Sequence, residues 1–116
     1  MAAGKYDIII EQGADLDLDI DYKDSAGVLL SLATGYTAAM KIKESKGGTE
    51  IASLTDSSGI TLASTSPNIN IKIGYATTAN YDFETAVYDL ELTNTSADTR
   101  SRILEGRVVL NREVTA

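Results

Sequence analysis

The chain contains no cysteine, no histidine and no tryptophan among its 116 residues. Without cysteine, it cannot form disulfides, bind a metal through thiolates or use a thiol as a nucleophile. Without histidine, it lacks the commonest general base and the commonest ligand of transition metals. It also contains neither a glycine-rich phosphate-binding motif nor a Ser-x-x-Lys pair. We therefore expect a protein that is not an enzyme, has no small-molecule substrate and needs no cofactor.

Long apolar runs are also missing, and no segment approaches the length of about 18 residues that indicates a membrane span. The opening residues MAAGK are too short and too little apolar for a signal peptide. We therefore expect a mature chain that begins at Met1 and is made in a cytoplasm. The net charge of −7 disfavours binding to nucleic acid and to anionic membranes, because both need a basic surface.

The most regular segment of the chain is DLDLDIDY, residues 15–22. Side chains alternate across a β-strand, so the four aspartates of this segment fall on one face and its apolar residues on the other. Aspartate is a poor strand former, and burial of the apolar face must therefore set the pattern. The segment predicts a half-buried strand in an antiparallel sheet.

Predicted strands recur about every ten residues without amphipathic helices between them, which is typical of an all-β fold. The sequence predicts one domain, residues 1–116, built as an antiparallel β-sandwich of about eight or nine short strands. Residues 75–81 lack strand alternation and predict one helical turn that crosses between the sheets. Ile8, Ile9 and Ile10 form a β-branched run that is predicted to be buried on both faces. Gly106 is predicted to mark a bulge or bend where the last strand changes partners.

The alternating segments also predict the core. The residues expected in the inner layer are Ile8, Ile10, Leu16, Leu18, Ile20, Met40, Ile42, Ile69, Ile71, Ile73, Tyr88, Leu90, Leu92 and Val108. The tyrosines divide into two groups by their phase in the strands. The core group comprises Tyr22, Tyr36 and Tyr88, and the group expected near an end of the sandwich, and available for an interface, comprises Tyr6, Tyr75 and Tyr81.

Four phrases of the sequence are similar to those of a known family: KYDIIIEQGAD at residues 5–15, TGYTA at 34–38, VYDLEL at 87–92 and LEGRV at 104–108. In this order they resemble small virion proteins of tailed bacteriophages, which are similar to the immunoglobulin-like N-terminal domain of phage baseplate upper proteins. The resemblance implies an immunoglobulin-like sandwich. It also implies a structural role in the virion, as a part of the tail, baseplate, neck or capsid decoration, after synthesis in the bacterial cytoplasm.

The resemblance further implies that the partners are other virion proteins and that the chain forms a symmetric homo-multimer in the particle. Contacts are expected at sheet edges, loops and termini, including addition of a strand to an exposed edge. The candidate elements are residues 1–6, 45–48 and 111–116. Within them, the candidate interface residues are Lys5, Tyr6, Lys46, Gly47, Gly48, Asn111 and Arg112. The alternative is a carbohydrate- or receptor-binding module of a phage tail, which the lack of tryptophan disfavours.

The aspartates leave several interpretations open. A solvated outer face is favoured, and a docking face for basic side chains or a divalent-ion site in a calcium-stabilised domain is less so. Same-face residues lie about 6.5–7 Å apart along a strand, so four in a row cannot converge on one ion. The ion-site candidates are Asp15, Asp17, Asp19 and Asp21. Two arrangements would account for the charge. It is offset by a basic neighbouring strand, for which the sequence offers Arg100 with Arg102 or Lys41 with Lys43, or it lies on an edge strand and discourages uncontrolled pairing between sheets.

Overall fold

The structure is a computed structural model that describes residues 4–112 of the chain. Within that range, nine β-strands and one short helix form two sheets, which confirms the predicted all-β sandwich. The elements in chain order are β1 (Gly4–Lys5), β2 (Ile8–Glu11), β3 (Leu16–Ile20), β4 (Tyr36–Lys43), β5 (Glu50–Thr55), β6 (Ile60–Leu62), β7 (Ile69–Ile73), α1 (Tyr75–Thr78), β8 (Thr85–Asn94) and β9 (Thr99–Asn111). None of the described helical residues belongs to a helix long and apolar enough to cross a bilayer.

The larger sheet has the strand order β1-β9-β8-β4-β5, and β2 also pairs with β9. Its pairs β9–β8, β8–β4 and β4–β5 are antiparallel, whereas β1 and β2 run parallel to β9. The smaller sheet has the antiparallel order β3-β7-β6. Helix α1 connects β7 of the smaller sheet to β8 of the larger one, as the sequence predicts.

The core lies between the two sheets and is built from the alternating apolar residues of both. The isoleucines of β7, Ile69, Ile71 and Ile73, are all buried in it. Every residue predicted for the inner layer either belongs to this core or packs against it, which confirms that prediction. Leu32 and Phe83 are also buried, although they lie outside the regular strands, where alternation gives no signal.

Two predictions about exposure are wrong. Ile9 is 61% exposed, although the run in which it lies was predicted to be buried on both faces. β2 lies at the margin of the larger sheet, whose outer face is open to solvent, so alternate residues of the run point outward. Tyr81 was predicted to be available for an interface, but it is only 8% exposed. It packs against Phe83, with 5.7 Å between the ring centroids, because the chain returns to the core after α1.

The bulge in β9 does not lie at Gly106. The register against β8 shifts between Leu90 and Glu91, which pair with Leu104 and Arg102, so the extra residue is Ile103. The strand does change partners around Gly106, because β1 pairs with residues 104 and 105 and β2 with residues 108–111. The predicted change of partner is therefore confirmed, and the predicted place of the bulge is wrong.

Candidate functional site

The aspartate row is exposed, as the sequence predicts, and it consists of Asp15, Asp17, Asp19 and Asp21. Asp17 and Asp19 lie in β3, which is an edge strand of the smaller sheet and has β7 as its neighbour. The side-chain amide of Asn70 donates hydrogen bonds to Oδ1 of both Asp17 and Asp19, at 2.7 and 2.6 Å. One neutral side chain therefore bridges the two central carboxylates and holds them side by side.

The two ends of the row are attached to the segments that flank β7. Oδ1 of Asp15 accepts a hydrogen bond from the backbone N–H of Tyr75 at 2.7 Å. Oδ1 of Asp21 accepts one from the hydroxyl of Ser66, also at 2.7 Å. Each carboxylate thus has a polar partner from the β7 side. Within residues 4–112, no three acidic side chains come close enough together to hold a metal ion.

The prediction that a basic strand lies beside the aspartates is wrong, because the neighbour of β3 is β7 and not β4 or β9. The prediction that the aspartates lie on an edge strand is confirmed. Arg102 and Lys41, one from each proposed basic pair, form their ion pairs within the larger sheet. The cation directly opposite the row is Lys72, which pairs in register with Asp17 but forms no ion pair with it. The aspartate row therefore keeps its negative charge largely uncompensated.

Replacing Asp17 and Asp19 together with asparagine is expected to leave the fold intact. Asparagine keeps an Oδ1 that can accept the hydrogen bond from Asn70, and the change removes repulsion between exposed like charges. We expect the free energy of unfolding to change by less than about 1 kcal/mol. Urea unfolding of the variant and the wild type checks this, and loss of the folded state would contradict the placement of the row.

The second notable surface is a groove of about 640 Å³ on the outer face of the larger sheet. Six of the chain's ten lysines and arginines line it. This basic groove is defined by Lys5, Lys41, Lys43, Lys46, Arg102 and Arg107. Its acidic lining residues are Asp89, Glu91 and Glu105. On a chain whose net charge is −7, the groove is a local concentration of positive charge.

Only some of these cations are neutralised. Nε of Arg102 lies 3.3 Å from Oδ2 of Asp89, and its Nη1 lies 3.5 Å from Oε1 of Glu105. Nζ of Lys41 lies 3.1 Å from Oε1 of Glu50. Within residues 4–112, the remaining four form no ion pair; they are Lys5, Lys43, Lys46 and Arg107.

The strand register explains how the unpaired cations meet. Arg107 on β9 pairs with Val87 on β8, and Val87 in turn pairs with Lys43 on β4. The three side chains therefore form a row across the outer face, with an apolar residue between two cations. Lys5 comes from β1, and Lys46 comes from the loop between β4 and β5. The groove thus has long, flexible cationic side chains around the apolar side chain of Val87.

The wall of the groove nearest β1 is fixed from within the core. Tyr88 is buried, and its hydroxyl donates a hydrogen bond of 2.5 Å to the carbonyl oxygen of Tyr6. Burial raises the pKa of Tyr88 well above its ordinary value, and the charge of Asp7 and the nearby Tyr6 raise it further. The hydroxyl therefore stays protonated and keeps its role as a donor near neutral pH. This contact supports the chain segment that carries Lys5 into the groove.

The structure brings three of the predicted interface residues together. Lys5, Lys46 and Gly47 all line the basic groove, and Gly48 follows in the same loop. Tyr6 is 49% exposed beside the margin formed by β1. The predicted elements at residues 1–3 and 113–116 lie outside the described residues.

The other two predicted residues lie at the far end of β9. The side-chain amide of Asn111 donates to Oε2 of Glu11 at 2.8 Å, and Arg112 forms an ion pair of 3.1 Å with Asp82. Near them, Ile9 and Val109 pair in register on the outer face, and both are exposed. Val109 is two residues after Arg107 on the same face of β9, so this apolar pair lies next to Arg107 on the outer face of the larger sheet.

The sequence interpretation did not identify Lys43 and Arg107 as parts of one site. The alternation in β4 places Lys41 and Lys43 on one face, and this basic pair was predicted, but as a possible partner of the aspartates and not as part of a groove. Arg107 could not be added, because its place next to Val87 depends on the register between β8 and β9. The chain matches no protein-family model and no curated protein.

Proposed function

We propose that this protein is a non-enzymatic structural component of a tailed-bacteriophage particle, located in the tail, baseplate, neck or capsid decoration. It would act by binding other virion proteins through its sheet faces, edges and loops. The all-β sandwich is the architecture expected of the immunoglobulin-like virion domains that its sequence resembles.

The observation that carries the proposal is the basic groove with its unpaired cations. Four cations that lack an ion pair within residues 4–112, arranged around Val87, form a surface suited to a partner with exposed carboxylates. Exposed charges of this kind favour recognition and rapid association more than they stabilise a fold. The exposed pair of Ile9 and Val109 adds apolar area beside it, and apolar area at a protein interface contributes to affinity.

The experiment is to purify mature particles of a phage that encodes this chain and to analyse their protein content by mass spectrometry. We expect the protein to be present at a fixed ratio to the other virion proteins, and labelled-antibody electron microscopy should place it at one location. Its absence from mature particles would refute the structural role. A phage that encodes the variant Arg107→Glu is expected to incorporate less of it. The matched control is Arg100→Glu, which reverses a cation on the same strand that does not line the groove.

A further inference from the structure

The two outer faces of the sandwich carry charges of opposite sign. The aspartate row occupies the outer face of the smaller sheet, where Lys72 is the cation of the neighbouring strand. The basic groove occupies the outer face of the larger sheet. Because the core lies between the sheets, the two surfaces face in opposite directions. The charges on one side of the molecule are therefore free to meet the opposite charges on another copy.

We propose that the basic groove binds the aspartate row of a second copy of this chain. This inference rests on the proposed function, because it names the partner of the same groove. Both surfaces are present in every copy at equal concentration, and each has charge that its own molecule does not neutralise. The partner is thus a folded, acidic strand rather than a small anion.

The dimensions of the two surfaces are compatible. Arg107 and Lys43 lie on strands two positions apart, so their backbones are separated by about 9.5 Å across the sheet. Asp17 and Asp19 are adjacent on one face of β3, where the backbone repeat is about 6.5–7 Å. Their Oδ1 atoms lie closer together, because both are within 2.7 Å of Nδ2 of Asn70. Arginine and lysine side chains are long enough to span this difference from both sides, and an arginine can hold a carboxylate through two parallel hydrogen bonds.

The fixed arrangement of the carboxylates in the aspartate row favours this contact. Asn70 holds the carboxylates of Asp17 and Asp19 side by side without neutralising them. Their arrangement is therefore fixed before binding, which lowers the entropy lost when the two surfaces meet. β3 also lies at an edge of its sheet, so one flank of the row has no neighbouring strand in the described structure to obstruct an approaching copy.

The contact joins two different surfaces, and it therefore leaves one of each free at the ends of every dimer. Such head-to-tail contacts continue into closed rings when the rotation between copies closes, and into open filaments when it does not. A ring of this kind fits a component that is repeated around the axis of a particle. The strength of the contact should fall with added salt, because its charges lie near the surface.

Sedimentation velocity of the full chain, across a range of protein concentrations and at low and high salt, tests the proposal. We expect the sedimentation coefficient of the wild type to rise with concentration at low salt and to return to that of a monomer at high salt. The groove variant Lys43→Glu, Arg107→Glu should remain monomeric, and so should the row variant Asp17→Asn, Asp19→Asn. The control Arg100→Glu reverses the charge of a cation on the same strand as Arg107 that does not line the groove, and it should associate like the wild type.

Mixing the two one-sided variants gives the most specific result. The row variant retains an intact groove, and the groove variant retains an intact row, so their mixture should form dimers that grow no further. Circular dichroism and thermal unfolding should show that both variants are folded. A mixture that contains only monomers would overturn the proposal, and so would association that persists in the groove variant alone.

A wild-type chain that stays monomeric at every concentration at low salt would also overturn it, even if the groove bound a polyanion such as heparin. That result would leave the proposed role in the particle unaffected, since the protein content of virions tests that role independently. The two proposals can therefore fail separately.

Discussion

Replacing Gly106 with alanine is expected to detach the N-terminal strands from the larger sheet. A Cβ at this position would overlap the carbonyl oxygen of Tyr6, and it would lie 2.9 Å from the Tyr6 carbonyl carbon and 3.1 Å from Oδ1 of Asp7. The nearest of these atoms belong to the backbone, so no rotation of a side chain can make room. The chain between β1 and β2 must move away from β9.

That movement breaks the contacts on both sides of Gly106. The N–H of Tyr6 donates to the carbonyl of Glu105 at 3.0 Å, and the N–H of Arg107 donates to Oδ1 of Asp7 at 3.1 Å. The Tyr88 hydroxyl would also lose its acceptor, because that acceptor is the carbonyl oxygen of Tyr6. We expect the free energy of unfolding to fall by about 3 kcal/mol, from overpacking together with lost hydrogen bonds.

Urea unfolding of the Gly106→Ala variant measures this loss, and Gly74→Ala is its matched control. A Cβ at Gly74 meets no atom within 4 Å, and the backbone there has φ −71° and ψ 155°, which alanine adopts freely. We expect the control to change the free energy of unfolding by less than about 1 kcal/mol. Equal effects of the two substitutions would show that the close approach of Tyr6 to Gly106 is not needed for stability.

Replacing Asn68 with alanine is expected to destabilise the fold by a similar or larger amount. Its side chain is fully buried, and its Oδ1 accepts a hydrogen bond from the N–H of Tyr22 at 2.8 Å. Its Nδ2 donates to the carbonyl of Tyr22 at 2.8 Å and to that of Leu30 at 2.9 Å. One amide thus joins the end of β3 to the irregular segment before β4, outside the named strands. These two segments also pair through the hydrogen bond from the N–H of Leu30 to the carbonyl of Tyr22 and through an isolated bridge between Lys23 and Leu29.

Alanine would leave the N–H of Tyr22 and the carbonyl of Leu30 without the hydrogen bonds that Asn68 makes to them, and it would open a small cavity. The carbonyl of Tyr22 would keep the N–H of Leu30 as a donor at 3.2 Å. An unsatisfied buried polar group costs about 1–3 kcal/mol, and water can reach part of this site, so we expect a total loss of about 3–4 kcal/mol. Urea unfolding checks the total, and hydrogen exchange at the amide of Tyr22 should become faster. The control is Asn80→Ala, because the exposed Asn80 amide makes one hydrogen bond, to the carbonyl of Ala76. If both variants were equally stable, Asn68 would have no special structural role.

The strands were predictable wherever one face is buried and the other is solvated. In β3 and β7, aspartate or polar residues alternate with leucine and isoleucine, so period two gives both the element and its inner face. The run around Ile9 was not predictable, since three isoleucines in a row occur in central and in marginal strands alike. The partner of this run, β9, lies about a hundred residues later in the chain, and the sequence between them does not indicate a parallel pairing.

The candidate site was less predictable than the fold, because alternation shows which side chains share a face of one strand but not which strands are neighbours. The bulge at Ile103 adds a second difficulty. It reverses the phase of β9, so Arg102 and Arg107 reach the same outer face although their numbers differ in parity. Simple alternation would have placed them on opposite faces of the sheet.

The parallel pairing of β1 and β2 with β9 has a mechanical consequence. Residue 4 lies beside residue 104 and residue 11 beside residue 111. The N-terminal strands β1 and β2 therefore run in the same direction as β9, the last strand of the described chain. A force that pulls the two ends of the chain apart would slide these strands past each other along their length. Their evenly spaced hydrogen bonds would then share the load together and would not open one at a time. We therefore expect the pairing of β1 and β2 with β9 to resist a force applied along these strands as one unit.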